Sequence, residues 1–334
     1  MLKVSSNYTN ALATINKPTS NPIRQNSLSF KGNIDGANQD TFTRSTNPKE
    51  ALPKNLKAEY VKALEQTGYS AFEQKDYKAC IASLEEVVEI NPESARAWHA
   101  KASAEKELGL YEEAIQDYTR AFTLRPDSAN SIGLRGLSKA RYAHSLQKQD
   151  PEKAKELYIS AIIDYSKSLE IKPNPDFYDL KANVLMITGR YEEAVKSLDE
   201  SILLNEAELE KQPDNKRLKV KLGDAHHKKG ICLYAIAGGP RSNVNIQARD
   251  EFSKAIQYVP NSANSYYERA RVNRRIDIEE AKADIEKAIE IAPKRAHYYR
   301  LLGDMLVMSD NEEERQQGFD YIATSIKLKQ EEEQ

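Results

Sequence analysis

From Asn55 onward the sequence repeats itself, and this repetition constrains the fold more strongly than any single motif. The tetrapeptide Tyr-Glu-Glu-Ala occurs at residues 111–114 and returns intact at 191–194. Pro92 and Pro126, which each close one unit, lie 34 residues apart. We distinguish seven units, with approximate bounds 58–92, 93–126, 127–173, 174–206, 207–260, 261–293 and 294–330.

Each unit places a small residue in its first half and a bulky residue in its second half. The small residues are Gly68, Ala102, Gly136, Ala182, Gly230, Ala270 and Gly303, and the bulky ones are Leu84, Tyr118, Tyr165, Leu198, Phe252, Ile285 and Ile322. This pattern predicts a hairpin of two helices that approach closely at the small residue. Proline then ends many of the second helices. One hairpin cannot bury its apolar face alone, so we expect the hairpins to stack.

The unit boundaries also predict where each second helix begins. We expect these starts near Asp76, Leu110, Pro151, Arg190, Asn243, Ile278 and Asn311, within a helical body that runs from about Leu56 to Lys329. The third unit is longer than the standard repeat of 34 residues by about thirteen residues. A proline in the first turn is compatible with a helix, so Pro151 should open the second helix there. The extra residues should lengthen both helices by one to two turns. The fifth unit has a lengthened start at 205–223 and a turn at 238–243.

On these residues the sequence resembles the tetratricopeptide-repeat (TPR) family over about 270 residues. The resemblance implies an all-α solenoid of about seven helix hairpins, wound as a right-handed superhelix. It also implies a concave groove, lined by the first helix of each unit, that holds extended peptides or partner helices. Some TPR proteins clamp a terminal carboxylate with lysine and asparagine, but Glu65 and Tyr69 stand at those positions here.

The first 53 residues differ from the solenoid, which we assign to residues 54–334. They are rich in Asn, Ser and Thr, and no acidic residue precedes Asp35. Without hydrophobic periodicity such a segment cannot bury enough apolar area to fold, so we predict a disordered tail. We expect a cytoplasmic protein, with an organelle-targeting role of this tail as the alternative, because acid-poor starts also occur in transit peptides.

Charge and motifs exclude several classes of function. The formal net charge is -2, whereas nucleic-acid and membrane-surface binders need a field of one sign. No apolar run approaches the roughly 20 residues that span a bilayer. The chain has neither a glycine-rich phosphate loop nor a His-Glu-x-x-His motif, and we predict no enzyme activity, no metal and no cofactor. His226 and His227 should point to different sides of one helix, although Asp224 with His227 leaves a weak two-ligand alternative. Cys80 and Cys232 are predicted to be buried free thiols.

The residues of the first helices that should face the groove change in polarity along the chain. They are Tyr69 and Phe72 in the first unit, then Asp176, Asp179, Asn183 and Met186 in the fourth, Tyr267, Arg271, Arg274 and Arg275 in the sixth, and His297 and Arg300 in the seventh. The spacing of the three arginines predicts one helical face, and Arg300 should lie opposite them. They would form a basic cleft for an acidic partner. The alternative is internal pairing with Glu268, Glu279 and Glu280.

The resulting hypothesis is an adaptor or scaffold that binds a protein or peptide in its groove. Two alternatives stay open from the sequence. The chain could be a non-catalytic subunit of a larger enzyme or secretion assembly, or a regulator in which a captured peptide changes the superhelix.

Overall fold

A computed structural model describes residues 54–237 and 243–332 of the chain, and these are arranged as helices and short turns without a β-strand. The predicted tail at 1–53 and most of the predicted turn at 238–243 lie outside the described residues. The described helices are α1 (Lys54–Glu73), α2 (Tyr77–Ile90), α3 (Ala95–Leu108), α4 (Tyr111–Leu124), α5 (Ala129–Leu146), α6 (Pro151–Ile171), α7 (Pro175–Ile187), α8 (Tyr191–Lys211), α9 (Lys216–Ile236), α10 (Asn243–Tyr258), α11 (Ala263–Asn273), α12 (Ile278–Ile291), α13 (Ala296–Leu306) and α14 (Glu312–Glu332).

These helices form consecutive hairpins and make up an all-α TPR solenoid, as the resemblance implied. The chain divides between Glu93 and Ser94 into two compact units. In the first unit, α1 packs against α2. In the second unit, each of the helices α3 to α14 packs against the next one along the chain.

Every predicted second helix begins within one residue of its expected position, and capping residues mark several of these starts. Asp76 precedes α2 and accepts a hydrogen bond from the backbone N–H of Ala79. Asp150 accepts one in the same way from Lys153 and stands directly before Pro151, the first residue of α6. A side-chain acceptor at this position satisfies an N–H group that the helix leaves without a partner.

The hairpins close as the alternation of small and bulky residues predicted. The side chains of Leu84, Tyr118, Tyr165, Leu198, Phe252 and Ile285 are all completely buried. At Gly230 an added Cβ would stand only 2.7 Å from the ring of Phe252, so no larger residue fits without movement. Ile322 in the last hairpin is only half-buried.

The long third unit has the predicted form. Helix α5 has 18 residues and α6 has 21, whereas α3 and α4 have 14 each. The additions amount to about one turn in α5 and two turns in α6. The boundary between the fourth and fifth units was predicted too early, because residues 205–211 continue α8 instead of opening the fifth unit. Asn205 is buried in α8 and bonds to the backbone of Ser201, which keeps this extension helical.

Candidate functional site

The first helices of the last three hairpins, α9, α11 and α13, bring one cation and several aromatic rings together. We call Tyr234, Tyr267, Glu268, Arg271 and His297 the arginine–aromatic cluster. Tyr234 comes from α9, His297 comes from α13, and the other three residues come from α11. The cluster therefore depends on three successive hairpins of the second unit.

Arg271 is at the centre of the cluster. Its guanidinium carbon lies 5.1 Å from the ring centre of Tyr234 and 5.7 Å from that of Tyr267. One guanidinium nitrogen donates to Glu268 at 2.5 Å. Burial alone would lower the pKa of Arg271, but Glu268 and the two tyrosines outweigh it and raise the pKa. The side chain keeps 35% of its surface exposed, so its remaining N–H groups can reach a ligand.

His297 extends the cluster onto α13. Its ring meets Tyr267 edge-on at 4.9 Å and Tyr298 at 4.5 Å. Tyr298 is buried and anchors this stack, because its hydroxyl donates to Asn264 at 2.7 Å. Burial and the positive charge of Arg295 lower the pKa of His297, so the imidazole is neutral at pH 7.

Three polar atoms of the cluster have no hydrogen-bond partner among the residues that the structure describes. They are Nε2 of His297 and the hydroxyls of Tyr234 and Tyr267. Of the three, only Nε2 of His297 is a buried atom, and buried polar atoms normally have partners because an unmade hydrogen bond costs free energy. The cluster can therefore offer a bound chain a planar cation, two hydroxyls and one imidazole nitrogen.

Of the three arginines predicted to share a helical face, only Arg271 lies within α11. The helix ends at Asn273, so Arg274, its C-terminal cap with helical backbone angles, and Arg275 lie in the turn after it. The turn forms because the backbone N–H groups of Ile276 and Asp277 both bond to the carbonyl of Asn273 at 2.7 Å. Both arginines are exposed and form no ion pair within the described residues.

The remaining predicted cations are paired internally. Arg300 donates to Asp304 at 2.8 Å, one turn further along α13. Arg271 pairs with Glu268, as the alternative interpretation proposed, whereas Glu279 pairs with Lys282. Of the four predicted arginines, Arg274 and Arg275 are the two that have no acidic partner within the described residues.

Tyr69 and Phe72 lie on α1 of the first unit and are half-buried. The ring of Phe72 packs edge-on against Tyr77 of α2 at 5.5 Å, so it closes its own hairpin. These two aromatics belong to the first compact unit.

The predicted acidic positions of α7 are neutralised by the next first helix. Asp179 pairs with Lys228 at 2.9 Å, Lys228 also pairs with Asp224 at 2.6 Å, and Asp176 contacts Lys221. The other two predicted positions of this helix differ in burial, since Asn183 is half-buried and Met186 is buried.

Tyr234 is the member of the cluster that sequence reasoning missed. Tyr234 stands four residues after the small residue Gly230, just as Arg274 stands four residues after the small residue Ala270. This equivalent position in the repeat could have identified Tyr234 as a groove residue.

Other reactive side chains have structural partners. Both cysteines are free and fully buried, and burial raises the pKa of Cys80 to about 11 and that of Cys232 to about 12. His226 bonds to Glu251 at 2.6 Å and His227 bonds to Ser265 at 3.0 Å, so the two imidazoles diverge as predicted.

No group of three or more His, Cys, Asp or Glu residues in the described ranges could hold a metal ion. None of the described helices is long and apolar enough to cross a bilayer, and the cytoplasmic location stays a prediction.

Comparisons with known proteins agree with this architecture. The tetratricopeptide-repeat family model matches residues 61–94, 95–128, 175–208 and 263–295. The mitochondrial import receptor subunit TOM70 of Rattus norvegicus is 27% identical over 164 residues, and the Mus musculus protein is equally similar. These matches cover 49% of this chain and 24% of each receptor, so the chain spans about a quarter of their length.

A solved structure shows the same fold over most of the chain. The C-terminal part of a TPR repeat-containing protein from Cytophaga hutchinsonii superposes with a TM-score of 0.55 at 18% identity. The superposition covers 79% of this chain and 98% of that one.

Proposed function

The chain belongs to the tetratricopeptide-repeat family, and on that premise we propose that it binds another protein by holding a peptide segment of that protein against the arginine–aromatic cluster. TPR proteins mediate protein–protein interactions, and no catalytic role is proposed for this one. The function is that of an adaptor, in which the repeats present a surface and the partner supplies the activity.

One observation carries the proposal: a partly exposed guanidinium lies between two tyrosine rings whose hydroxyls have no partner in the described chain. Tyrosine and arginine are the residue types that contribute most to binding at protein interfaces. Their rings and planar groups lose little conformational entropy when a ligand binds, because Glu268 and the neighbouring rings already hold them. A peptide backbone offers carbonyl oxygens to the free donors of Arg271, Tyr234 and Tyr267.

The proposal includes a preference for acidic segments. Arg274 and Arg275 follow the cluster directly in sequence and have no acidic partner within the described residues. A carboxylate in the bound segment would neutralise them, and charge matching of this kind favours association at low salt.

The experiment is quantitative affinity capture from native extract with the tagged full chain and two variants. Tyr234→Ala with Arg271→Gln removes the cation and one of the two rings that flank it, and Lys287→Ala changes a partly exposed residue on α12 as a control. We expect the double variant to lose the captured partners at least about tenfold and the control to retain them.

Circular dichroism must show equal helicity for all three proteins. Retention of the partners by a folded double variant would refute a role of the cluster in binding.

A further inference from the structure

Four hairpins of the second unit contain the same internal ion pair. The base precedes the small residue of the first helix, and the acid precedes the bulky residue of the second helix. The pairs are Lys101–Asp117 at 2.8 Å, Arg135–Asp164 at 2.7 Å, Lys229–Glu251 at 3.0 Å and Arg269–Asp284 at 2.6 Å. The ion pair is therefore a recurring feature of these hairpins, and it links the two helices of each one.

The hairpin of α7 and α8, which is the fourth along the chain, keeps the base and lacks the acid. Lys181 precedes Ala182, but Ser197 precedes Leu198 where the other hairpins have Asp or Glu. The Ser197 hydroxyl turns back to the backbone carbonyl of Glu193 at 3.1 Å. Lys181 forms no ion pair or hydrogen bond within the described residues, although it is half-buried. Burial lowers its pKa, as expected for an ammonium that is partly desolvated and has no partner in contact.

Lys181 lines an open cleft between the second helices α6 and α8. The cleft has a volume of about 390 Å³, and α7 contributes Lys181 to its lining. Ile159 and Ile163 of α6 form its apolar part, with 45% and 62% of their surfaces exposed. Arg190 and Glu193 at its other side are already joined by two hydrogen bonds of 2.6 Å, so Arg190 does not compete for a ligand.

The next cleft along the chain, between α8 and α10, is a natural comparison. It has a similar volume of about 440 Å³, and Lys229 takes the place of Lys181. There the lysine is neutralised from both sides, by Asp199 at 2.8 Å and by Glu251 at 3.0 Å. In the cleft of Lys181 the corresponding positions are both serines.

These serines, Ser166 and Ser197, hydrogen-bond to their own helices. Two acids are therefore missing at once, in the cleft that also exposes two isoleucines. A solvent-exposed lysine would need no explanation, but a half-buried lysine beside apolar side chains gains stability from a carboxylate. Ile159 and Ile163 are one turn apart and can contact apolar residues next to that carboxylate.

We propose that the cleft between α6 and α8 is a second binding site, which accepts an aspartate or glutamate of a partner protein flanked by apolar residues. The carboxylate of the partner pairs with Lys181 and replaces the internal acid that the other hairpins carry. Its apolar neighbours cover Ile159 and Ile163. The second helices α6 and α8 form its walls and the first helix α7 contributes Lys181, so the site shares no residue with the arginine–aromatic cluster.

The test uses a displayed library of short random peptides, selected on the full wild-type chain after depletion on the Ser197→Asp variant. Aspartate at residue 197 restores the acid of the other hairpins and should occupy Lys181 internally. We expect the recovered peptides to share an acidic residue next to apolar ones. Each should bind about tenfold more weakly when its acid becomes the amide, and about tenfold more weakly to Ser197→Asp.

Three further variants serve as controls. Ser166→Asp places the acid at the rim and should also weaken binding, even if Ser197→Asp fails to fold. Thr123→Asp makes the same charge change on the exposed side of α4 and should leave binding unchanged. Tyr234→Ala should leave it unchanged as well, so failure of this site and failure of the proposed function can be distinguished.

Three results would overturn the proposal. Peptides that bind wild type and Ser197→Asp equally, or an absence of enriched peptides, would show that Lys181 recognises no acidic segment. Self-association of the wild-type chain that Ser197→Asp abolishes would identify a second copy as the occupant. Displacement of the peptides by free glutamate at peptide concentration would identify a small carboxylate as the ligand.

Discussion

Tyr118 and Tyr165 occupy the same position in consecutive hairpins, yet their hydroxyls differ in a way that predicts opposite effects of the same substitution. Both side chains are completely buried. The Tyr118 hydroxyl is 2.8 Å from the Ser103 hydroxyl, whereas the Tyr165 hydroxyl has no partner within the described residues. The difference follows from the sequence, because Leu137 stands in the third hairpin where Ser103 stands in the second.

The expected magnitudes follow from the cost of buried polar groups. A buried hydroxyl without a hydrogen bond costs about 1–3 kcal/mol relative to water, so Tyr165→Phe should raise the free energy of unfolding by roughly 1 kcal/mol or more. Tyr118→Phe removes a made hydrogen bond and should lower the free energy of unfolding by about 1 kcal/mol. Ser103 keeps its bond to the carbonyl of His99 at 2.9 Å, so it is not left without a partner.

The assay is urea denaturation of the full chain and both variants, followed by far-ultraviolet circular dichroism. Repeat proteins can unfold in parts, so the comparison holds only where the slopes of the three transitions agree. A Tyr165→Phe protein that is less stable than wild type at equal slope would refute the reasoning. That result would mean that the Tyr165 hydroxyl is bonded, for example to a buried water molecule.

Three further predictions concern single sites. Burial and the neighbouring Asp117 raise the pKa of Glu105 to about 8, so its ionisation destabilises the folded state as the pH rises above about 4.5. The free energy of unfolding of Glu105→Gln at pH 8 should therefore exceed that of wild type by on the order of 2 kcal/mol. A variant that is less stable than wild type would contradict this prediction. Burial lowers the pKa of His227 to about 4. The free energy of unfolding of wild type should therefore fall by roughly 3 kcal/mol relative to that of His227→Gln between pH 6.5 and pH 4, as measured by urea denaturation across that range. If the stabilities of the two proteins change in parallel with pH, His227 does not cause the loss. Gly230→Ala should lower the free energy of unfolding by about 1–3 kcal/mol and thereby the melting temperature, because the added Cβ would contact the Phe252 ring. An unchanged melting temperature would show that the ring moves freely.

Much of the fold could be predicted from the sequence because local rules determine it. The alternation of small and bulky residues identified which residues are buried, such as Tyr165 and Phe252. Capping residues such as Asp76 and Asp150 mark several of the helix starts, since a side-chain acceptor satisfies N–H groups that the first turn of a helix leaves unpaired. These interactions join residues close in the chain, so the repeat carries the information in itself.

The binding surface was predicted less well, because its properties depend on where helices end and on contacts between hairpins. Three arginines spaced as in a helix predicted one helical face, but α11 ends at Asn273, so Arg274 and Arg275 lie in the turn after the helix. The end of α11 is set by paired backbone hydrogen bonds to Asn273 and by the start of α12 at Ile278, which no single residue type announces.

The same limit applies to charge. The sequence by itself determined an all-α repeat protein, the order of its hairpins and the identity of its buried residues, since helix periodicity and repeat spacing are properties of the chain. Only the tertiary structure decided which charges form ion pairs: Arg271 and Arg300 pair with acids of their own helices, and Asp179 pairs with a lysine of the next first helix. Lys181 forms no ion pair within the described residues. An ion pair needs atoms within a few ångströms, and side chains from different helices reach that distance only after the hairpins have packed.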